Sequence, residues 1–460
     1  MVQLRGGAGG GARGGSQRRS ERRAQDREIL RLAVPAFGAL VAEPVFLLAD
    51  SAFIGHLGTL PLAGLGVAGA LLATAIGLFV FLAYATTAAV ARRYGAGDLR
   101  AALAQGIDGM WLAAALGVLT AVVGFLAAEP LVTALGASGE VTPYAISYLR
   151  WSLPGLPAML VVLAATGVLR GLQDTRTPLV VAAGGAIGNI GLNYVLIYGA
   201  GLGIAGAALG TALTQLVMAA VLVVVVVRGA RRHGAPLRPD RAGIVASGRS
   251  GVPLVVRTLT LRAALLVTTF VAARQGDAAL AAHQVVATVW TFLAFALDAV
   301  AIAGQAITGK ALGAGDARGA RAATARMVQW GLWAGVVLGG LTAAVSFWLP
   351  ALFSQDAAVR AAVTAALLVA ALAQPVAGYV FVLDGVLIGA GDGRYLALAG
   401  VWTLVAYLPL ATLVLLASPG GTTGLVMLWI AFGVGFMLAR AVTLGLRARG
   451  DAWLVTGATR

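Results

Sequence analysis

The residues best suited to do chemistry in this sequence are a few acids and amides set in oily surroundings. Phe46–His56 reads FLLADSAFIGH, an apolar run with one carboxylate, Asp50, in its middle. Placing an aspartate at a membrane centre costs about 2.5 to 3.5 kcal/mol on insertion scales, so such an acid is a functional candidate by default. Burial can raise a carboxyl pKa by as much as about 3 to 5 units. An acid poised in that way could accept a proton on one side of a membrane and lose it on the other, or bind a cation when ionised. It cannot hold both at once, and that exclusivity is the requirement for exchange. Glu43 lies seven residues earlier, about two helical turns, on nearly the same face. It reads either as a second coupling acid or as a structural partner of the carbonyl that Pro44, a candidate kink, sets free. Asn189 and Asn193, one turn apart in GNIGLNYVLIYG, present two amides on one face. They could hold Asp50, hold a substrate or bridge helices. Asp298 in FALDAVAIAGQ and Asp384 in YVFVLDGVLIGAGD are further mid-helix acids, whereas Arg257 and Arg262 share a segment with no acid. An arginine beside either aspartate would pair with it and hold it ionised, which would make that acid structural. Gln284 completes the candidate cavity set, and its neighbour His283 reads as a local hydrogen-bonding residue.

These groups need a scaffold that keeps them in apolar surroundings, and composition points to one. The chain is 60% hydrophobic and 11% charged, with a mean hydropathy of +0.90, whereas an ordinary soluble domain carries about 25% charged residues. This is the composition of a membrane protein. Crossing about 30 Å of hydrocarbon takes about 20 apolar residues in a helix. Twelve such helices are predicted, roughly 30–54, 61–91, 102–128, 143–169, 177–199, 203–228, 251–274, 279–310, 323–349, 360–388, 395–417 and 422–446. The absence of cysteine excludes disulfides, thiol nucleophiles and cysteine-bound metals, and three histidines argue against a histidine-rich metal site. Neither a metal nor a cofactor is expected.

A formal charge of +15 and a pI near 11.2 would suit a nucleic-acid binder. However, most of the 33 Lys and Arg lie in the tails and in every second loop, while the alternate loops hold almost none. That is the positive-inside pattern, so the basicity orients the chain and both termini are expected in the cytoplasm. Nucleic acid is set aside as a partner. Residues 1–27, rich in Gly and Arg, are expected to form a disordered basic cytoplasmic tail able to touch anionic lipid, and they lack the apolar core of a signal peptide. The expected organisation is an N-lobe at 28–228, a cytoplasmic linker at 229–248, a C-lobe at 249–447 and a C-terminal cytoplasmic tail at 448–460.

The two-lobe division rests on an internal repeat. RLAVP (31–35) faces RSGVP (249–253), GAGD (95–98) faces GAGD (313–316), and Gly171 and Asp174 face Gly389 and Asp392, all at an offset of 218 (313 − 95). Gly58, Leu62 and Ala63 face Gly276, Leu280 and Ala281 at the same offset, as Gly203 and Gly206 face Gly421 and Gly424. Six helices per half is an even number, so both halves enter the membrane in the same direction. Such parallel repeats build transporters with a substrate site between halves that rock against each other. At this offset Asp50 faces Thr268, so the acid is not part of the repeated scaffold. GLGVAG (64–69) and GLGIAG (201–206) match a dinucleotide fingerprint, but neither follows a strand. They read as close helix packing by small residues, and the GAGD pair reads as a glycine stop followed by a capping acid.

The opening VPAFGALVAEPVFLLADSAFIGHLG, NIGLNYVLIYG and the paired GAGD loops resemble the multidrug and toxic compound extrusion (MATE) transporters. RTLTLRAA, AAHQVVATVWTFLAFALDAVAIAGQA and DGVLIGAGD are similar, more narrowly, to its DinF-like branch. The resemblance covers nearly all of 28–447. It implies an all-α polytopic membrane protein, twelve transmembrane helices in two six-helix lobes around a central cavity. It also implies that Asp50 is a proton and cation coupling residue, and that Asn189 and Asn193 match a helix-five pair whose second member is an acid in many relatives. Members coupled to sodium use an acid in helix seven with one in helix ten. This chain keeps Asp384 and lacks the helix-seven acid.

The expected function is therefore export of small amphipathic, often cationic, organic compounds in exchange for protons, by a monomer in the inner (plasma) membrane. A sodium-coupled exporter and a lipid-linked oligosaccharide flippase of the same superfamily are the alternatives. An enzyme would need a nucleophile and base or a metal set, and none is recognisable.

Overall fold

A backbone crossing lipid must satisfy its hydrogen bonds within itself, and the described chain is helical with no strand among the described residues. The computed structural model describes residues 10–417 and 420–459. Among these, twelve helices are long and apolar enough to cross a membrane. The N-lobe comprises α1 (Gly10–Gly55), α2 (Thr59–Gly95), α3 (Leu99–Leu126), α4 (Thr142–Gly171), α5 (Arg176–Gly199) and α6 (Gly203–Arg232). The C-lobe comprises α7 (Arg241–Arg274), α8 (Asp277–Gly313), α9 (Ala317–Val345), α10 (Ala357–Gly389), α11 (Gly393–Ala417) and α12 (Gly421–Arg449). A short helix, Ala128–Ala134, joins α3 to α4.

The repeat is written into the backbone. Left-handed φ angles recur 218 residues apart (276 − 58) at Gly58 and Gly276, Gly97 and Gly315, Gln173 and Gly391, and Gly203 and Gly421. Each GAGD loop ends one helix on such a glycine and starts the next on its aspartate. Asp98 accepts from the amide of Ala101 at 2.8 Å, and Asp316 from that of Gly319 at 2.7 Å. The glycine motifs pack helices: a Cβ on Gly64 would lie 2.6 Å from that of Tyr144, and one on Gly206 would lie 2.8 Å from the Leu196 carbonyl carbon.

Gln173 is the exception to the glycine pattern, with φ 67° and both side-chain polar atoms buried without a partner. A left-handed conformation costs an L-residue roughly 1 to 2 kcal/mol. Gln173→Gly, which copies the other lobe, is expected to stabilise the protein by about 1 kcal/mol. An unchanged or lowered apparent melting temperature in detergent would show that the strain is absent.

Three segments differ from the sequence reading. Residues 10–27 belong to α1 where a disordered tail is expected, and residues 1–9 lie outside the described residues. The end of that stretch is anchored: Asp26 accepts from Arg326 at 2.7 Å and from the Trp330 indole at 2.8 Å. The non-helical linker narrows to 233–240, because Asp240 caps α7 and its own amide donates to Asp108 on α3 at 3.0 Å. The segment after α12 folds back onto the lobes. Trp453 is buried, the Gly457 amide donates to the Leu312 carbonyl at 2.9 Å, and Arg92 of α2 donates to the carbonyls of Val455 (2.5 Å) and Gly457 (3.2 Å).

The lobes meet at their arginine-rich end. There Gly95 lies against the backbone of Lys310, and Gly313 against that of Arg92, so closely that neither site has room for a Cβ. Both pairs are related by the same offset (313 − 95 and 310 − 92), so this is one reciprocal contact of α2 and α8 on the pseudo-twofold axis. The 81–95 half of α2 packs on α7, α8 and α10, whereas the 59–79 half touches the C-lobe only lightly through α7. The cores agree. One buried cluster runs through the C-lobe into the N-lobe, while Ile54, Ala68, Val132, Leu149 and Ile204 form a separate core at the other end of the N-lobe. The protein is closed at the arginine-rich end.

Candidate functional site

Asp50 is 1% exposed, and its partners come from two other helices. On α5 the four-residue spacing places Asn189 and Asn193 one above the other, just before the chain loosens into a π-turn at Val195–Gly199. Asn193 Nδ2 donates to Asp50 Oδ1 at 2.5 Å and to Asn189 Oδ1 at 3.0 Å. Asn189 Nδ2 reaches Thr211 Oγ1 of α6 at 3.5 Å, and Thr211 Oγ1 lies 3.3 Å from Asp50 Oδ2. The four side chains thus form a closed ring around one carboxylate. Gly210 leaves room for the Asn193 amide, since a Cβ there would collide with its Oδ1. Tyr148 on α4 lies beside Asp50 and Thr211.

The ring can serve two protonation states of its acid. Ionised Asp50 accepts from Asn193 and Thr211. The Thr211 hydroxyl also lies 3.0 Å from the Ala207 carbonyl of its own helix, so when Asp50 is protonated the threonine can donate there and accept from the acid instead. Asn193 Oδ1 is buried without a partner and offers a second acceptor after an amide flip. Asp50 forms no ion pair among the described residues. A buried charge without a partner is costly, so a proton or an organic cation can fill the same role.

Asp384 on α10 is the opposite case. It is 4% exposed and gripped by two arginines. Arg257 of α7 takes both carboxylate oxygens, with Nε 3.2 Å from Oδ1, and Arg440 of α12 donates to Oδ1 at 2.7 Å. Arg257 also stacks over Tyr84 of α2 at 5.7 Å, and the Tyr84 hydroxyl donates to Asp298 of α8 at 3.4 Å. Arg170 of α4 lies within electrostatic reach of Asp298. This second cluster therefore bridges the lobes. Removing one member of a buried ion pair costs about 3 to 5 kcal/mol, and less where a second cation remains. Arg440→Met is accordingly expected to destabilise the protein by about 2 to 3 kcal/mol, read as thermal unfolding in detergent, and unchanged stability would refute the pairing.

The candidate residues do not form one set. Asn189 and Asn193 join Asp50, while Asp298, Asp384 and Arg257 form the second cluster. Arg262 and Gln284 are exposed and join neither; Arg262 instead lies over Gly77 of α2, 2.7 Å from where a Cβ would be. Glu43 is on α1, and its side chain lies outside the described residues. His283 is a local hydrogen-bonding residue, with Nε2 3.1 Å from Thr269 Oγ1. Sequence reasoning missed Thr211, Tyr84, Arg170 and Arg440. Arg170 reads as a loop cation because it stands at a helix end, and Arg440 stands only seven residues before Arg447 in the basic end of α12.

The family described as MatE matches residues 35–195 and 253–413. The two matched intervals are themselves 218 residues apart (253 − 35). Over 427 residues the chain is 30% identical to Protein DETOXIFICATION 44, chloroplastic, of Arabidopsis thaliana, covering 90% of this chain and 80% of that protein. It is 29% identical over 299 residues to DNA damage-inducible protein F of Escherichia coli, covering 63% of this chain and 64% of that one. Its fold superposes with a TM-score of 0.85 on the Vibrio cholerae MATE transporter VcmN in the bent form, at 23% identity, covering 94% of this chain and 99% of that one.

Proposed function

Because the chain belongs to the MATE family of multidrug transporters, which are not enzymes, we propose that it exports small amphipathic, often cationic, organic compounds by proton antiport, one lobe rocking against the other. The observation that carries this reading is the contrast between the two buried acids. Asp384 has two arginines, whereas among the described residues Asp50 has only amide and hydroxyl partners. An acid already holding cationic partners has no need of a transported one. Asp50 has that need, and its ring accepts either protonation state.

In the proposed cycle the chain sits in the inner membrane with its arginine-rich end toward the cytoplasm, the orientation that positive-inside bias favours. With the opposite end open, Asp50 takes a proton from outside, loosens its hold on the substrate and lets it leave. After the lobes rock, the proton departs inward and the site reloads. One charge moving through 100 mV is worth about 2.3 kcal/mol, roughly a fiftyfold concentration ratio. The occupation of both Asp384 oxygens by arginine speaks against a sodium site at that acid, because a hard cation needs several oxygen ligands. It also speaks against an anionic-lipid flippase, whose arginines would have to be available to the lipid.

The test is efflux of a cationic dye from proteoliposomes under an imposed proton gradient or an imposed sodium gradient. Efflux driven by the proton gradient alone is expected. Efflux driven only by sodium would overturn proton coupling, and failure to move any cationic dye while lipid moves would overturn export.

A further inference from the structure

Away from both buried acids, a cavity of about 790 Å³ opens at the arginine-rich end, between α2 of the N-lobe and α7, α10 and α11 of the C-lobe. Its walls carry five arginines, Arg92, Arg93, Arg249, Arg394 and Arg447, against one acid, Asp392. Two of the five are committed: Arg447 Nε donates to Asp392 at 2.6 Å, and Arg92 donates to the carbonyls of Ala390, Val455 and Gly457. Arg93, Arg249 and Arg394 form no ion pair among the described residues: Arg93 makes a long hydrogen bond, 3.4 Å, to the Ala89 carbonyl of its own helix, and Asp98 and Asp108 act on it only at longer range. By contrast, Lys310, Arg321, Arg326 and Arg447 at the same end each hold a carboxylate. Positive-inside bias explains why arginines lie at this end. It does not explain why three that form no ion pair line one concave space that both lobes build.

The rest of the lining fits the same occupant. Ser247 and Ser250 add hydroxyls, and the cavity takes in the first residues of α11. Ala85, Pro253, Leu254 and Leu398 make an apolar floor. Guanidinium forks match phosphate oxygens in geometry as well as charge, and an apolar floor beside them suits an acyl chain. We propose that this cavity binds the phosphate headgroup of an anionic phospholipid. One phosphate held by Arg93 of the N-lobe and by Arg249 and Arg394 of the C-lobe ties the lobes together at this end. Anionic lipid therefore favours the closed arrangement seen here. The site is separate from the Asp50 ring, and binding to it does not depend on what the protein transports.

The test uses the full-length protein in nanodiscs of neutral phosphatidylcholine doped with phosphatidylglycerol, with bound lipid counted by native mass spectrometry and stability followed by thermal unfolding. The triple variant Arg93→Gln, Arg249→Gln, Arg394→Gln is compared with a triple of equal charge outside the cavity, Arg176→Gln, Arg231→Gln, Arg318→Gln. Phosphatidylglycerol is expected to bind the cavity variant roughly tenfold to a hundredfold more weakly than the wild type, with the thermal shift lost, while the control triple keeps both. Equal loss in both triples would reduce the effect to general surface charge and overturn the proposal. A third arm adds inorganic phosphate to protein in neutral lipid. Protection equal to that by phosphatidylglycerol would assign the site to soluble phosphate and overturn the lipid occupant.

Discussion

Asp50→Asn is expected to yield a folded protein that no longer converts a proton gradient into efflux. Asparagine keeps the shape of the side chain and removes a buried charge that has no cationic partner among the described residues, so stability should be preserved or slightly raised. Its amide can still bond within the ring, with its Oδ1 accepting from Asn193 at the place where Asp50 does so at 2.5 Å. What it cannot do is bind and release a proton. The roughly fiftyfold accumulation ratio that one proton moving through 100 mV can sustain should therefore fall to about one. Proteoliposome efflux under an imposed proton gradient reads this directly, with the unfolding temperature as the folding control. Full efflux by the variant would end the mechanism. The second position of the pair sharpens the result: Asn193 and Asn189 are both amides, so no other carboxylate of the ring can take over.

Gly313→Val is expected to have a comparable effect on transport by a different route. A Cβ at position 313 would run into the backbone of Arg92, and one at position 95 into that of Lys310. Backbone in a helix cannot swing aside as a long side chain can, so the lobes must separate at this end. Helix α8 keeps its packing on α10, so the fold should survive while the closed arrangement is lost. The native chain has no cysteine, which makes the consequence measurable with a single probe. Thr308 is fully buried near this contact, and a cysteine there should react with a maleimide at least about tenfold faster in the valine variant, since one tenfold step needs only about 1.4 kcal/mol. Gly95→Val should act in the same direction, and the two together should not add, because each breaks the same contact. Unchanged labelling with normal efflux would show that the lobes tolerate the side chain and that the crossing is not the closure.

Much of the architecture was legible in the residues. Lipid forces each crossing segment to be a self-satisfied helix, so twelve apolar runs read as twelve helices, and the structure moves most of their ends by only a few residues. The repeat was equally local. Gly58 and Gly276, or Gly97 and Gly315, mark the same turn twice because a left-handed φ strongly favours glycine. Asp50 stood out for the same kind of reason, as one acid whose cost is set by its immediate neighbours.

Only the tertiary structure decided which acids are compensated. Thr211 is 161 residues from Asp50, and Arg257 and Arg440 are 127 and 56 residues from Asp384. No periodicity records such distances, because the partners meet only when separate helices pack. Counting arginines by loop is also blind to burial: Arg170 and Arg440 have the composition of orienting charges and the position of core residues, 8% and 5% exposed. The sequence by itself determined a two-lobed bundle and pointed to one conspicuous acid. The packing determined that this acid is ringed by neutral donors while Asp384 is locked by cations, and a charge's partners, more than its presence, set what it can exchange.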